Sequence, residues 1–279
     1  MKTTIEVKDH SVSGESFRLE YDEQLHMYVT SPKPSQENLP SYYASEDYIS
    51  HTDGKRSLFE KMYQVVKGIT LSRKQKLLAS YIPNKGSLLD IGAGTGDFLE
   101  YVSDKGWNAS GVEPSEKART LAKQKNVAIV EALPETSNGY DAITMWHVLE
   151  HVYNLEAQLV WLKNNLSREG ALFVAVPNFE SYDASYYNTD WAAYDVPRHL
   201  YHFSKKSIQL LFEAQHMEVV ATHPMKFDAF YVSLLSEKYK TGRMNYLKAF
   251  WSGWRSNQKA KKTKTYSSLI YVIQHKESL

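Results

Sequence analysis

The chain has 279 residues, a formal net charge of +1 and no cysteine. Its length exceeds one typical domain, the lack of thiols excludes disulfides, thiolate zinc sites and cysteine nucleophiles, and the balanced charge gives no case for nucleic acid by net field. MKTTIEVKDH lacks the apolar core of a signal peptide and no run approaches the roughly eighteen apolar residues of a transmembrane helix, so a soluble, cytoplasmic protein without membrane insertion is expected. Along the chain, residues 1 to 30 alternate in segments such as SFRLEYD and HMYVT, which predicts two or three short strands before SPKPSQENLP breaks regular structure. From Ser57, Leu58, Phe59, Met62, Val65, Val66 and Ile69 fall on one helical face, and a second helix is expected over 72–82, the pair covering a sheet. Helical patterns near 97–105, 115–125, 154–166 and 204–215 then alternate with short apolar runs, the signature of a parallel sheet. MEVVATHPM at 217–225 and SSLIYVIQ at 267–274 are the last two strand candidates.

The densest signal is GSLLDIGAGTGDF at 86–98. Leu88, Leu89 and Ile91 form an apolar run suited to a strand buried on both faces, and FLEYV begins a helical period, so the glycines lie in a turn between strand and helix. With Gly92, Gly94 and Gly96, and Ala93 between, that turn lets backbone approach a ligand closely. The dinucleotide fingerprint G-x-G-x-x-G is missed, because the third glycine arrives one residue early and Asp97 stands where that pattern wants Gly or Ala. Asp90, just before the turn, would repel a pyrophosphate but suits a ligand carrying an ammonium and a sulfonium, as S-adenosylmethionine (SAM) does. Glu113, at the end of the next apolar segment and followed by Pro114, can accept hydrogen bonds from both ribose hydroxyls.

In these motifs the chain resembles the class I SAM-dependent methyltransferases over roughly residues 55 to 225, and most of all the branch holding ubiquinone-type O-methyltransferases and sugar C-methyltransferases. DIGAGTG at 90–96 matches the glycine motif and Glu113 the ribose acid. The tract EALPE is similar to the segment along the adenine, with Leu133 at the contact position. YDAITMWHVLEHV at 140–152 resembles the fourth strand and its turn, where Trp146 and His147 would face the methionine end. GALFVAVPN at 170–178 resembles the fifth strand, and DVPRHLYHFS at 195–204 a stretch of that branch. The resemblance implies an α/β, Rossmann-like, doubly wound sheet, mostly parallel, with an antiparallel last strand. It implies an N-terminal appendage and lid over 1–54, a methyltransferase domain over 55–228 and 265–279, and a helical insertion over 229–264.

Methyl transfer asks for in-line placement of a nucleophile, exclusion of water and, for a hydroxyl or carbon acid, removal of a proton. His147 and His151 follow the fourth strand, His199 and His202 the fifth, so both pairs should lie beyond strand C-termini, where such sheets bind ligands. By resemblance His199 is the catalytic base, with Arg198 orienting the acceptor and His151, Tyr187 and Trp191 lining its pocket; the alternative is that Arg198 and Asp195 pair to fix the loop while His199 packs against it. The order H-V-L-E-H differs from the zinc-protease H-E-x-x-H, and no metal is expected. Tyr43, Tyr48 and His51, upstream of the first covering helix, are candidates for a lid over the methionine end, the alternative being half-buried packing.

Leu247, Phe250, Trp251 and Trp254 give the insertion one strongly apolar helical face, and from Lys238 to Lys276 there is no acidic side chain. Such a face suits a membrane surface or RNA, but packing on the domain or on a second subunit is the preferred expectation. The expected function is methyl transfer from SAM to a small-molecule acceptor, at oxygen or carbon, with no nucleic acid partner and the oligomeric state open, a homodimer included. A SAM-binding protein without catalysis and an RNA or protein methyltransferase are the competing readings.

Overall fold

A computed structural model describes residues 3–43, 58–135 and 139–276, with the backbone alone over 58–63. Tyr48 and His51 lie outside the described residues. The chain opens with an antiparallel meander, β1 (Thr4–Lys8), β2 (Ser16–Asp22) and β3 (Met27–Ser31). A helix, α1 (Leu58–Tyr81), leads into alternating elements: β4 (Ser87–Ile91), α2 (Asp97–Ser103), β5 (Asn108–Val112), α3 (Glu116–Lys123), β6 (Ala128–Val130), β7 (Tyr140–Trp146), α4 (Leu155–Asn165) and β8 (Leu166–Pro177). Then come α5 (Tyr182–Tyr187), β9 (Tyr201–His202), α6 (Lys205–Glu213), β10 (Met217–Pro224), α7 (Asp228–Thr241), α8 (Tyr246–Thr263) and β11 (Ser268–His275).

The large sheet has seven strands in the order β10-β11-β8-β7-β4-β5-β6. The pairs from β8 to β6 are parallel, and β11 is antiparallel to both its neighbours. This is the expected doubly wound sheet with an antiparallel last strand. Because side chains alternate across a strand, Leu89, Ile91, Ile143, Met145, Leu172 and Val174 form one core with Leu155, Leu159 and Leu162 of α4. Leu88, Ala142 and Phe173 form the other, with Leu78 of α1 and Phe98, Leu99 and Val102 of α2.

The two helices expected between 57 and 82 are one, of 24 residues. No proline interrupts the pattern, and Gly68 costs only about 1 kcal/mol against alanine in a helix interior. Of the face expected to cover the sheet, Val65 and Ile69 point to solvent, and burial starts further on, at Leu78 and Ile82.

The meander does not stand alone. β3 pairs with β9, so the chain beyond the fifth core strand supplies the fourth strand of the N-terminal sheet. Thr30 strengthens this join: its amide donates to the Leu200 carbonyl at 3.0 Å and its hydroxyl to that of His199 at 2.6 Å. A third core fills the space between them, built from Val7, Phe17, Leu19 and Tyr28 with Phe179, Tyr187, Trp191, Tyr194 and Val196.

Candidate functional site

The glycine turn lies where β4 ends, with the Gly92 and Ala93 amides both donating to the Val112 carbonyl of β5. Gly92 and Gly94 have φ of 73° and 53°, a region that side chains rarely enter. A methyl at Gly92 would collide with Val148, whereas one at Gly94 would meet nothing within 4 Å. Space is therefore left open over Gly94, as a cradle for a ligand requires. Gly96 begins α2, and Asp97 beside it is held by Lys67 at 2.7 Å and Lys125 at 2.8 Å.

Glu113 closes this turn on itself. One carboxylate oxygen accepts from the Gly94 amide at 2.9 Å and the other from the Ser115 amide at 2.8 Å. Each oxygen keeps acceptor capacity, so the residue expected to take the ribose hydroxyls also fixes the glycine turn. Pro114 is exposed beside it, and its carbonyl accepts from Arg119. Leu133 is partly buried against the core, and the next carbonyl, of Pro134, accepts from the Trp161 indole at 3.1 Å.

Asp90 is buried and accepts from the Thr144 hydroxyl at 2.5 Å. Burial pushes its pKa up to about 7, against the pull of Thr144 and Lys74. Lys74 of α1, a residue the sequence did not single out, is lowered to about 8 by burial and lies 4.1 Å from the Trp146 ring centroid. Phe98 meets the same indole edge-on at 5.4 Å. An acid, an aromatic face and a cation thus converge beside the glycine turn.

His147 sits in the left-handed region at φ 59° and donates from both ring nitrogens, to Glu150 at 3.2 Å and to Asp228 at 2.9 Å. Burial alone would lower its pKa; the two carboxylates outweigh that and raise it to about 10. Asp228 opens α7, 81 residues away, and no local pattern marks it.

His151 and His199 meet edge to face at 4.5 Å. Each has Nδ1 set by a backbone carbonyl, His151 donating to Arg198 at 3.0 Å and His199 to Ala193 at 2.8 Å. Those bonds fix tautomers whose Nε2 carries the lone pair. Burial and the nearby His199 lower the His151 pKa to about 4, so its ring is neutral near pH 7. Glu150 lies beside them, buried, with Oε2 lacking a partner. Among the described residues, Glu150, His151 and His199 bring ligating atoms within 4.8 Å of one another, so this is the group that could hold an ion. The spacing of His147 and His151 did not reveal it, because His199 comes from a distant loop. The Tyr43 hydroxyl reaches His151 Nδ1 at 3.1 Å, so the end of the N-terminal segment touches this cluster.

Three expected acceptor contacts are corrected. Arg198 is 1 % exposed and donates to Asp195, to Asp9 and to the Tyr42 and Val196 carbonyls, leaving no free face for an acceptor. Burial disfavours its charge, but Asp195 and Asp9 hold it protonated, and the Asp9 carboxyl falls to about 2. Tyr187 and Trp191 are each 2 % exposed in the core beneath the N-terminal sheet, bonded to Glu237 and Asp183. They serve the attachment of that sheet.

Residues 66–222 match the family model described as methyltransferase domain. Among curated relatives, an uncharacterised methyltransferase of Alkaliphilus oremlandii is 31% identical over 106 residues, 35% of this chain and 48% of that one. A ubiquinone biosynthesis O-methyltransferase of Rhizobium johnstonii is 33% identical over 101 residues, 33% of this chain and 41% of that one. The chain thus spans less than half the length of each. Of solved structures, magnesium protoporphyrin IX methyltransferase from Synechocystis, with S-adenosylhomocysteine (SAH) bound, aligns at a TM-score of 0.57 and 15% identity, covering 86% of this chain and 100% of that one. A plantazolicin methyltransferase in complex with SAH aligns at 0.53 and 17%, covering 85% and 93%. At these identities the likeness is one of fold. The family match covers more than half of the chain, with the glycine turn and Glu113 inside it, and the chain belongs to the methyltransferase-domain family.

Proposed function

We propose that the chain transfers a methyl group from SAM to a small-molecule acceptor at oxygen or carbon. The observation that carries this reading is the open space over Gly94 combined with the Glu113 carboxylate bonded to the Gly94 amide. The residues fit the cofactor: the Gly92–Gly96 backbone and Glu113 suit its nucleoside, Leu133 its adenine, and Asp90, Trp146 and His147 its methionine end. When bound, the cofactor supplies a methyl group made electrophilic by the sulfonium. Lys74 is a cation suited to a carboxylate, and Asp90 suits an ammonium. That the relatives named for SAH complexes share this fold supports the same reading.

The chain's own contribution to chemistry is proton removal and orientation. Nε2 of His199, held as a lone pair by the bond from Nδ1 to Ala193, can take a proton from an acceptor hydroxyl or carbon acid. His151, neutral and fixed by the Arg198 carbonyl, can accept a hydrogen bond from the same acceptor. Small-molecule acceptors are named for the ubiquinone and porphyrin relatives. The protein should release heat with SAH and none with NAD in calorimetry, and should move tritium from methyl-labelled SAM into a small-molecule fraction of a cell extract. Label found only in RNA or protein would reject the small-molecule reading, and SAH binding without any transfer would favour the non-catalytic one.

A further inference from the structure

The helix α8 is packed the opposite way from its hydrophobic pattern. Its buried residues are the small ones, Ala249, Ser252, Gly253, Ser256 and Ala260. A methyl at Gly253 would overlap the Phe230 ring and backbone and the Ala229 carbonyl oxygen of α7, so this small-residue side is what lets the two helices approach closely. The aromatic side faces out: Leu247 is 77 % exposed, Trp251 61 %, Phe250 54 % and Trp254 43 %. The expectation that this face packs on the domain is therefore overturned, and Met244 and Tyr246 extend the exposed patch at its start.

We propose that this face docks on the surface of an anionic lipid bilayer, with α8 lying in the interface plane. Charge complementarity is the first argument. Between Lys238 and Lys264 there are nine lysine or arginine side chains and no aspartate or glutamate. At 100° per residue, Lys248 and Arg255 stand about 80–100° round the helix from Leu247, bordering the apolar stripe. Exposed tryptophan, phenylalanine and leucine with lysine and arginine at the flanks is the composition of an interfacial helix. No described helix is long and apolar enough to cross a membrane, so α8 lies on the surface rather than spanning it.

Two other occupants fit less well. A second copy meeting this face across a two-fold axis would set the same cationic segments against each other with no acidic partner. Single-stranded RNA needs parallel ring faces on which bases stack, but Trp251 meets Phe250 at 78° and Trp254 at 87°, so the rings form an edge-to-face ridge. Leu247, the most exposed of the four, offers no ring.

The test is co-sedimentation of the intact chain with vesicles of phosphatidylcholine alone and with 30% phosphatidylglycerol. Binding should be at least tenfold tighter to the anionic vesicles, fall as salt rises, and shift tryptophan emission to the blue. The double variant Leu247→Glu, Trp251→Glu should lose binding at least tenfold while keeping the wild-type melting temperature and SAH affinity, since both side chains are exposed. Three results would each overturn the proposal: no sedimentation with the anionic vesicles, a dimer in light scattering that the double variant splits, or retention of poly-U on filters under conditions where vesicles are not bound. SAH affinity, measured in the same samples, reports separately on the proposed function.

Discussion

The Arg198 guanidinium lies 2.9 Å from the Asp9 carboxylate, and both side chains are shut away from solvent although 189 residues separate them. Asp9 also caps its own turn, accepting from the amides of Ser11, Val12 and Ser13. The pair therefore fixes the first β-turn of the chain to the loop that carries His199. Removing one member strands the other as a buried charge, which costs about 3–5 kcal/mol. Arg198→Ala should lower unfolding free energy by about that amount in urea titration, and Arg198→Lys should recover only part, because a single ammonium cannot reach Asp9, Asp195 and two carbonyls together. A loss below about 1 kcal/mol with a raised acceptor KM would return Arg198 to the acceptor pocket.

Glu113→Ala removes both the ribose acceptor and the clamp on Gly94. Affinity for SAH should fall by about 1–3 kcal/mol, the usual loss for hydrogen bonds to a charged acceptor. Glu113→Gln keeps an oxygen for the Gly94 amide and should fall between. Calorimetric titration reads both, and unchanged affinity in a folded variant would remove Glu113 from the cofactor site.

His199→Ala should slow methyl transfer by roughly a hundredfold or more while leaving SAH affinity nearly intact. A variant that turns over like the wild type would show that proximity alone drives the reaction.

His147 ties stability to pH. Its folded pKa of about 10 lies above its ordinary value, near ~6.5, so the folded state holds the proton more tightly. That stabilisation is complete below about pH 6.5 and is lost as pH rises through about 10. His147→Gln should therefore melt below the wild type at pH 6 to 7, and the two melting curves should converge by pH 10. A constant offset across that range would mean that the bonds to Glu150 and Asp228 act without charge.

The strands of the large sheet and the glycine turn were legible because each is written locally, as a short apolar run ending in residues that tolerate a tight bend. SFRLEYD, read as a strand, is β2 residue for residue. Glu113 was legible for the same reason, since its bonds run to Gly94 and Ser115, both near in sequence or in the sheet. What was not legible depended on segments far apart in the chain. Tyr187 and Trp191 read as pocket walls because nothing between 181 and 204 tells that Val7, Phe17 and Leu19 will cover them. Lys74 and Asp228 carry no motif and join the site only when α1 and α7 fold against it. For α8 the periodicity was correct and the expectation that its large apolar side packs on the domain was not, because close packing on α7 selects small residues rather than large apolar ones.

The pairing of β3 with β9 also sets an order for biosynthesis. Residues 1–31 leave the ribosome well before the backbone that completes their sheet, and the His199 carbonyl that bonds Thr30 follows it by 169 residues. At roughly 5–20 residues per second, the meander waits about 8–34 s with the outer edge of β3 unpaired. An open edge is a template for wrong partners, and non-local closure of this kind slows folding. Refolding should therefore be slower and more concentration-sensitive than the parallel sheet alone would require, and translation stalled before residue 200 should leave the N-terminal strands open to protease.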